Sequence, residues 1–390
     1  MHPPVHSKLP YVGTTIFTVM SRLAAEHGAI NLSQGFPDFE PPARLLQLAD
    51  EHMRRHSGRN AGNQYAPMTG LPELRAVIAT RLQQHYAFDA DPETEITVTA
   101  GGTEALFCAI QALSRPGDEV LLLDPAYDSY EPAITLAGAR AVRVPLQRPE
   151  FTIDWQRLAD AITSRTRLLV LNFPHNPSGA TLQAADLDRL AALLGGTRVL
   201  LLADEVYEHM VYDGLPHQSV LRQRELAGRS LVVSSFGKTL HATGWKVGYC
   251  VAPPALTQEL RKVHQFVQFT VATPLQAAIA DFLRECPQHA LELAGFYQAK
   301  RDHFARVLGR TRFRCTPARS TYFQLADYSA ISDLPDTEFA RELTTRHGVA
   351  AIPVSAFSGA PAATDERLVR FCFAKHEATL DAAAARLENL

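Results

Sequence analysis

"SSFGKTLHATGWKVGY", residues 234–249, sets one lysine, Lys238, among small, hydroxyl and glycine residues, with a second, Lys246, following. The apolar run "SLVVSSF" leads into it. Strand, then glycine, then lysine is a phosphate-site pattern, and it leaves two assignments open. The lysine binds the phosphate, or it does chemistry beside it. The phosphate loop of nucleotide hydrolases needs G-x-x-x-x-G-K-[ST]. Gly237-Lys238-Thr239 fits the end of that motif, but its first glycine falls on Val232. No glycine stands where the loop must turn, so the ATPase and kinase readings fail. "GGTEAL" likewise does not supply the G-x-G-x-x-G of a dinucleotide site.

Outward from this stretch, strand and helix patterns alternate. "EITVTA", "EVLLLD", "RLLVLN", "RVLLLAD", "SLVVSSF" and "KVGYCVA" read as strands, with helical runs such as "TEALFCAIQAL" and "SYEPAITLAG" between them. Several strands are apolar at consecutive positions, as expected when both faces are buried in a mostly parallel sheet covered by helices. Residues 254–312 read as largely helical. "TYFQLAD", "GVAAIPV" and "RLVRFCF" are three later strands, interleaved with helices. The expected class is α/β, with a large domain over 46–284 and a smaller α+β domain over 285–390. Residues 1–45 are expected to pack with the smaller domain. The length of 390 residues agrees with two domains rather than one.

The bulk numbers exclude several functions. Thirty-eight basic and 41 acidic residues leave a net charge of −3, so no basic field awaits nucleic acid. No apolar run approaches the ~18 residues of a membrane span. "MHPPVHSKLPYVG" at the start has no signal-peptide character. Five cysteines lie far apart without a CxxC pair, which reads as reduced thiols in a cytoplasmic protein, and no metal site is expected.

In open α/β sheets, ligands bind beyond the carboxyl ends of the strands. The residues found there are Gly101-Gly102-Thr103-Glu104, Pro125-Ala126-Tyr127, Asn172 and Asn176, Asp204 with Glu205 and Tyr207, and Gly237-Lys238. Each alone has an ordinary explanation. Asp204 could cap a helix, Asn176 could make a turn, Tyr127 could fill core, and most lysines are simply exposed. Together they form an anion cradle, an aromatic, amides, a carboxylate, a phenol and a lysine at successive strand ends.

These residues carry a resemblance. The chain resembles the fold-type I, pyridoxal-phosphate-dependent aminotransferases of class I/II. The matching segments include "INLSQGFPDFEPP", "NQYAPMTGLPELR", "TAGGTEALFCAIQAL", "GDEVLLLDPAYDSYEP", "NFPHNPSG", "ADEVYEH", "SSFGKTLHATGWKVGY" and "RFCFAKHEATL", spread from about residue 30 to 380. "NPSG", "DEVY" and "SSFGKT…GWKVG" in that order are highly specific. The nearest subgroup is that of the methionine and the kynurenine (glutamine) aminotransferases.

The resemblance implies roles. Lys238 would form the Schiff base with the cofactor aldehyde and, when free, carry the substrate proton. Asp204 would keep the pyridine nitrogen protonated. Tyr207 and Asn176 would hydrogen-bond the ring's phenolic oxygen, and Tyr127 would stack on the ring. Gly102, Thr103, Ser235 and Lys246 would hold the phosphate. Many relatives carry arginine at the Lys246 position, where lysine offers a point charge instead of a fork. Tyr65 would reach the phosphate of a neighbouring subunit, implying a homodimer with shared active sites. Arg370 would clamp the substrate carboxylate, helped by Gly35 through its backbone N–H and by Asn176. Without the family, Arg370 reads as an edge-strand arginine. Phe36 and Phe17 are expected to line an apolar side-chain pocket. The implied activity is ping-pong transfer of an amino group from methionine or an aromatic amino acid to a 2-oxo acid. Its rival is a cysteine-conjugate β-lyase on the same scaffold. Cis geometry is expected at Asp124-Pro125 and Asn176-Pro177, where each proline would re-aim a residue at a strand end.

Overall fold

The computed structural model describes residues 6–55, 62–359 and 367–390. Its twelve strands are β1 (Ile30–Asn31), β2 (Ile96–Thr99), β3 (Glu119–Asp124), β4 (Arg140–Pro145), β5 (Thr166–Asn172), β6 (Leu200–Asp204), β7 (Ser230–Ser235), β8 (Gly248–Val251), β9 (Phe323–Asp327), β10 (Val349–Ala350), β11 (Ile352–Pro353) and β12 (Leu368–Cys372). Seven form one sheet in the order β2-β8-β7-β6-β5-β3-β4. All pairs in it are parallel except those of β8, which runs against β2 and β7.

The apolar runs are explained by burial on two faces. In β3, Leu121 and Leu123 join the core on one side of the sheet, while Val120 and Leu122 join the core on the other. In β5, Leu169 and Leu171 divide from Leu168 and Val170 in the same way. Alternate side chains of a strand point to opposite faces, so a sheet covered on both sides needs apolar residues at every position. Truncating one of these leucines to alanine costs about 2–5 kcal/mol.

A separate core draws on Met20, Leu23 and Leu32 near the start of the chain and on residues from Leu293 to Leu387. Tyr207, Met210 and Tyr212 also belong to it. The stretch after β6 therefore reaches from the large sheet into the second core. There β12 lies between β11 and β9, antiparallel to both. β1 pairs in parallel with β10, Ile30 opposite Val349, which ties the N-terminal segment to the C-terminal part of the chain. Among the described residues no helix is long and apolar enough to cross a membrane.

Both Asp124-Pro125 and Asn176-Pro177 are cis. So are Arg148-Pro149 and Phe173-Pro174, which the sequence reading did not single out.

Candidate active site

Parallel register aligns the carboxyl ends of the central strands. Asn172, last in β5, stands opposite Asp204, last in β6, and Asp204 stands opposite Val233 of β7. A cavity of about 970 Å³ lies over these ends. Every expected site residue except Tyr65 and Phe36 lines it.

Lys238 sits on the short helix Phe236–Thr239, directly after β7. Its Nζ donates to Tyr322 Oη at 2.9 Å and to the Gly35 carbonyl at 3.3 Å. Burial is the main reason that its ammonium is brought down to about 8, with Lys246 and Arg370 acting in the same direction. An amine with that value is partly neutral near pH 8 and can act as nucleophile or base.

Asp204 is buried, and its carboxyl is pushed up to about 6 chiefly by burial. Tyr130 donates to its Oδ2 at 2.5 Å and opposes that rise. The carboxylate has room to accept more, because its other contact is a long one of 3.4 Å from the Val206 amide. Tyr207 is buried beside it, and burial raises its phenol above the usual range. Asn172 Nδ2 donates to the Asp204 carbonyl, and Asn172 Oδ1 accepts the Asn176 amide, which braces the "NFPHNPSG" turn against β6.

One end of the cavity is built for an anion. The helix Gly101–Leu113 starts there, with Gly102 and Thr103 in its first turn and the positive end of its dipole toward the cavity. Gly101 has φ +77°, and a Cβ at that position would stand 3.3 Å from Lys246 Nζ. The missing side chain is what lets the ammonium lie close to the helix start. Gly248 is required for the same packing. A Cβ there would meet the Ser234 carbonyl at 2.6 Å and Gly101 at 3.0 Å. Ser235 adds a hydroxyl.

The other end carries Arg370, on the central strand of its sheet rather than at an edge. Nη1 donates to Asn176 Oδ1 at 2.6 Å and Nη2 to the Ser33 carbonyl at 2.9 Å. The Phe323 ring lies 3.8 Å from the guanidinium carbon, with Phe357 and Phe17 further out. Two of the five guanidinium N–H groups are thus used, and the buried Nε has no partner among the described residues. Burial lowers this guanidinium to about 10, which leaves it charged at neutral pH and in want of an anion.

Residues 27–387 match the family model for aminotransferase class I and II. The chain belongs to that family. Methionine aminotransferase of Escherichia coli K12 is 52% identical over 384 residues, 98% of each chain. The crystal structure described as an Escherichia coli methionine aminotransferase superposes with a TM-score of 0.96, 51% identity and full coverage of both chains. Human kynurenine–oxoglutarate transaminase 1 is 37% identical over 398 residues, 94% of each chain. The protein is therefore an aminotransferase with the fold-type I architecture.

This family works with pyridoxal phosphate, and the residues of the aminotransferase fit that group. A helix start, two hydroxyls and an ammonium suit its phosphate, a buried carboxylate with spare acceptor capacity suits its ring nitrogen, and an amine of lowered basicity suits its aldehyde.

Two of the named residues lie outside this cavity. Tyr65 is 85% exposed and touches Phe269, away from this chain's cavity. Phe36 is 44% exposed and does not line the cavity, because its ring lies against the Lys375 ammonium, 4.8 Å away. Phe17 does line it. Sequence reasoning missed Tyr130 and Tyr322. Tyr130 had a signal, since it stands three positions after Tyr127 in "PAYDSYEP". Tyr322 had none.

Proposed function

We propose that the enzyme binds pyridoxal phosphate at this cavity and moves an amino group from methionine, an aromatic amino acid, kynurenine or glutamine to a 2-oxo acid. The observation that carries this is the meeting of Lys238, Asp204 and the Lys246–Gly101 anion cradle in one cavity that Arg370 closes at the far end. When bound, the cofactor supplies an electron sink that makes the substrate's Cα proton acidic. Asp204 holds a proton at the ring nitrogen and so keeps that sink electron-poor. Tyr207 and Asn176 donate to the ring's phenolic oxygen, and Tyr127 covers one face of the ring. Gly102, Thr103, Ser235 and Lys246 hold the phosphate. Arg370, braced by Asn176, fixes the substrate carboxylate, and the Gly35 amide assists. Lys238, as a neutral amine, would take the Cα proton and return it to the carbon on the far side of the amino nitrogen.

Phe17 and Phe323, which line the cavity beside Arg370, give the substrate side chain an apolar setting, which supports methionine and aromatic donors. The 52% relative acts on methionine by its name, and the 37% relative on kynurenine. The proposal includes a homodimer in which Tyr65 reaches the neighbouring subunit's phosphate. The exposed aromatics Tyr65, Phe266 and Phe269 support it. It also includes a cytoplasmic location, which five cysteines without disulfide partners support. The division into a large body (46–284) and a smaller one (285–390 with 1–45) is part of the same reading, supported by their separate cores.

The test is the absorption spectrum of cofactor-supplemented protein, before and after methionine and then a 2-oxo acid, with Lys238→Ala alongside. The wild-type band is expected to bleach with methionine and return with the 2-oxo acid. No band in the wild type overturns the assignment of Lys238.

A further inference from the structure

Tyr322 is fully buried, immediately before β9. Its hydroxyl donates to the Gly35 carbonyl at 2.5 Å. That spends its only hydrogen, so toward Lys238 Nζ, 2.9 Å away, the oxygen is an acceptor. The Gly35 carbonyl accepts from Nζ as well, at 3.3 Å. Two of the three positions on Nζ beyond its carbon are therefore engaged on one side. The third holds the lone pair when the amine is neutral and an N–H when it is charged.

The ring that carries this hydroxyl is fixed. It meets Phe323 at 4.9 Å, Tyr207 at 5.2 Å and Tyr297 at 5.7 Å between centroids. Gly35 is fixed by close packing too, since a Cβ there would stand 2.8 Å from Phe323 Cζ. A core tyrosine needs one partner for its hydroxyl, and the Gly35 carbonyl already serves. The second contact, to Nζ, is more than core satisfaction requires.

We propose that Tyr322 is a positioning residue for Lys238: with the Gly35 carbonyl it holds the free amine so that its third position faces the cavity. A flexible lysine stem carries about 2 kcal/mol of rotamer entropy. Anchoring two N–H groups on a rigid floor removes the unproductive orientations before the lone pair is needed. The proposal rests on the assignment of Lys238 as the residue that captures the cofactor and moves the substrate proton.

Tyr322→Phe removes the oxygen and keeps the ring. Cofactor-free wild-type and variant protein are mixed with pyridoxal phosphate, and covalent capture is followed by absorption. In parallel, Kd is measured for pyridoxamine phosphate, which has no aldehyde for the lysine. Capture is expected to slow by about tenfold, the loss of one well-placed hydrogen bond, with the pyridoxamine phosphate Kd within about twofold. The isotope effect on the first half-reaction with Cα-deuterated methionine is expected to rise. A difluorotyrosine placed at 322 keeps the ring and hydroxyl but is a poorer acceptor, and is expected to fall between the two. Equal capture rates and isotope effects overturn the proposal. So does a pyridoxamine phosphate Kd that weakens as much as capture, since the hydroxyl would then support the pocket as a whole. A wild type that captures nothing overturns the Lys238 assignment itself, and this proposal with it.

Discussion

The two sides of the stretch from the end of β6 onward handle buried carboxylates in opposite ways. Asp204 faces the cavity and Glu208 faces the packed region behind it, and both are buried. Glu208 accepts three hydroxyls, from Tyr86, Ser234 and Tyr249. Burial pushes its carboxyl up, but His209, the Ser234 and Tyr86 hydroxyls and His217 more than offset this and hold it down to about 2. Among the described residues Asp204 has one good donor, Tyr130, and burial wins, leaving it at about 6. Burial alone therefore does not mark a working carboxylate. The mark is incomplete satisfaction beside an open space, because such a group gains most from a cationic or N–H partner.

Asp204→Asn tests this contrast most severely. It is expected to lower kcat with methionine by about 10³-fold, on the scale of removing one electrostatic partner from a reacting centre. Its thermal midpoint in cofactor-free protein is expected to hold or rise, because the burial penalty on the charge is gone. A fall in midpoint as large as that of a core truncation would erase the distinction.

The pH dependence of stability separates the same two groups by sign. Asp204 is raised, from 3.8 to about 6, so the native state binds the extra proton between those values. Its contribution favours the fold at low pH and is lost as pH rises through about 6, on the order of 3 kcal/mol. Glu208 is lowered from 4.5 to about 2, so its contribution is complete above 4.5 and is lost as pH falls toward 2. Denaturant midpoints of cofactor-free protein across this range should lose the first component in Asp204→Asn and the second in Glu208→Gln.

At neutral pH, Glu208→Gln is expected to cost about 1–3 kcal/mol, since its amide group would confront a hydroxyl that now lacks an acceptor. Methionine turnover per folded molecule should stay within about twofold. A large loss of turnover with unchanged stability would move Glu208 to the catalytic side of the comparison. Tyr130→Phe has the smallest expected effect, about 1 kcal/mol, by removing the one strong donor to Asp204. Since that donor lowers the Asp204 pKa, its loss should shift the corresponding pH midpoint upward.

The strand-end residues were legible because each follows its apolar run directly, and parallel register then brings the ends together. Asn172, Asp204 and Lys238 needed no knowledge of distant contacts. Arg370 and Gly35 needed the family, since nothing local in "RLVRFCF" or "SQGFPDF" points to a cavity over the other core. Tyr322 escaped because its significance lies in Lys238, 84 positions away, and in the Gly35 carbonyl, 287 positions away. Phe36 was misplaced because an aromatic beside a site glycine carries no sign of which way its ring turns.

The pairing of β1 with β10 has a consequence for the order of assembly during synthesis. Ser33, which receives an Arg370 hydrogen bond, lies 337 positions from it in the chain. A contact so distant in sequence closes only after Arg370 has been synthesised, and the loop entropy must be met before any contact repays it. The large sheet can assemble while translation continues, since its strands span 96–251. The Arg370 end of the cavity, supplied by segments far apart in the chain, is then assembled after the large sheet.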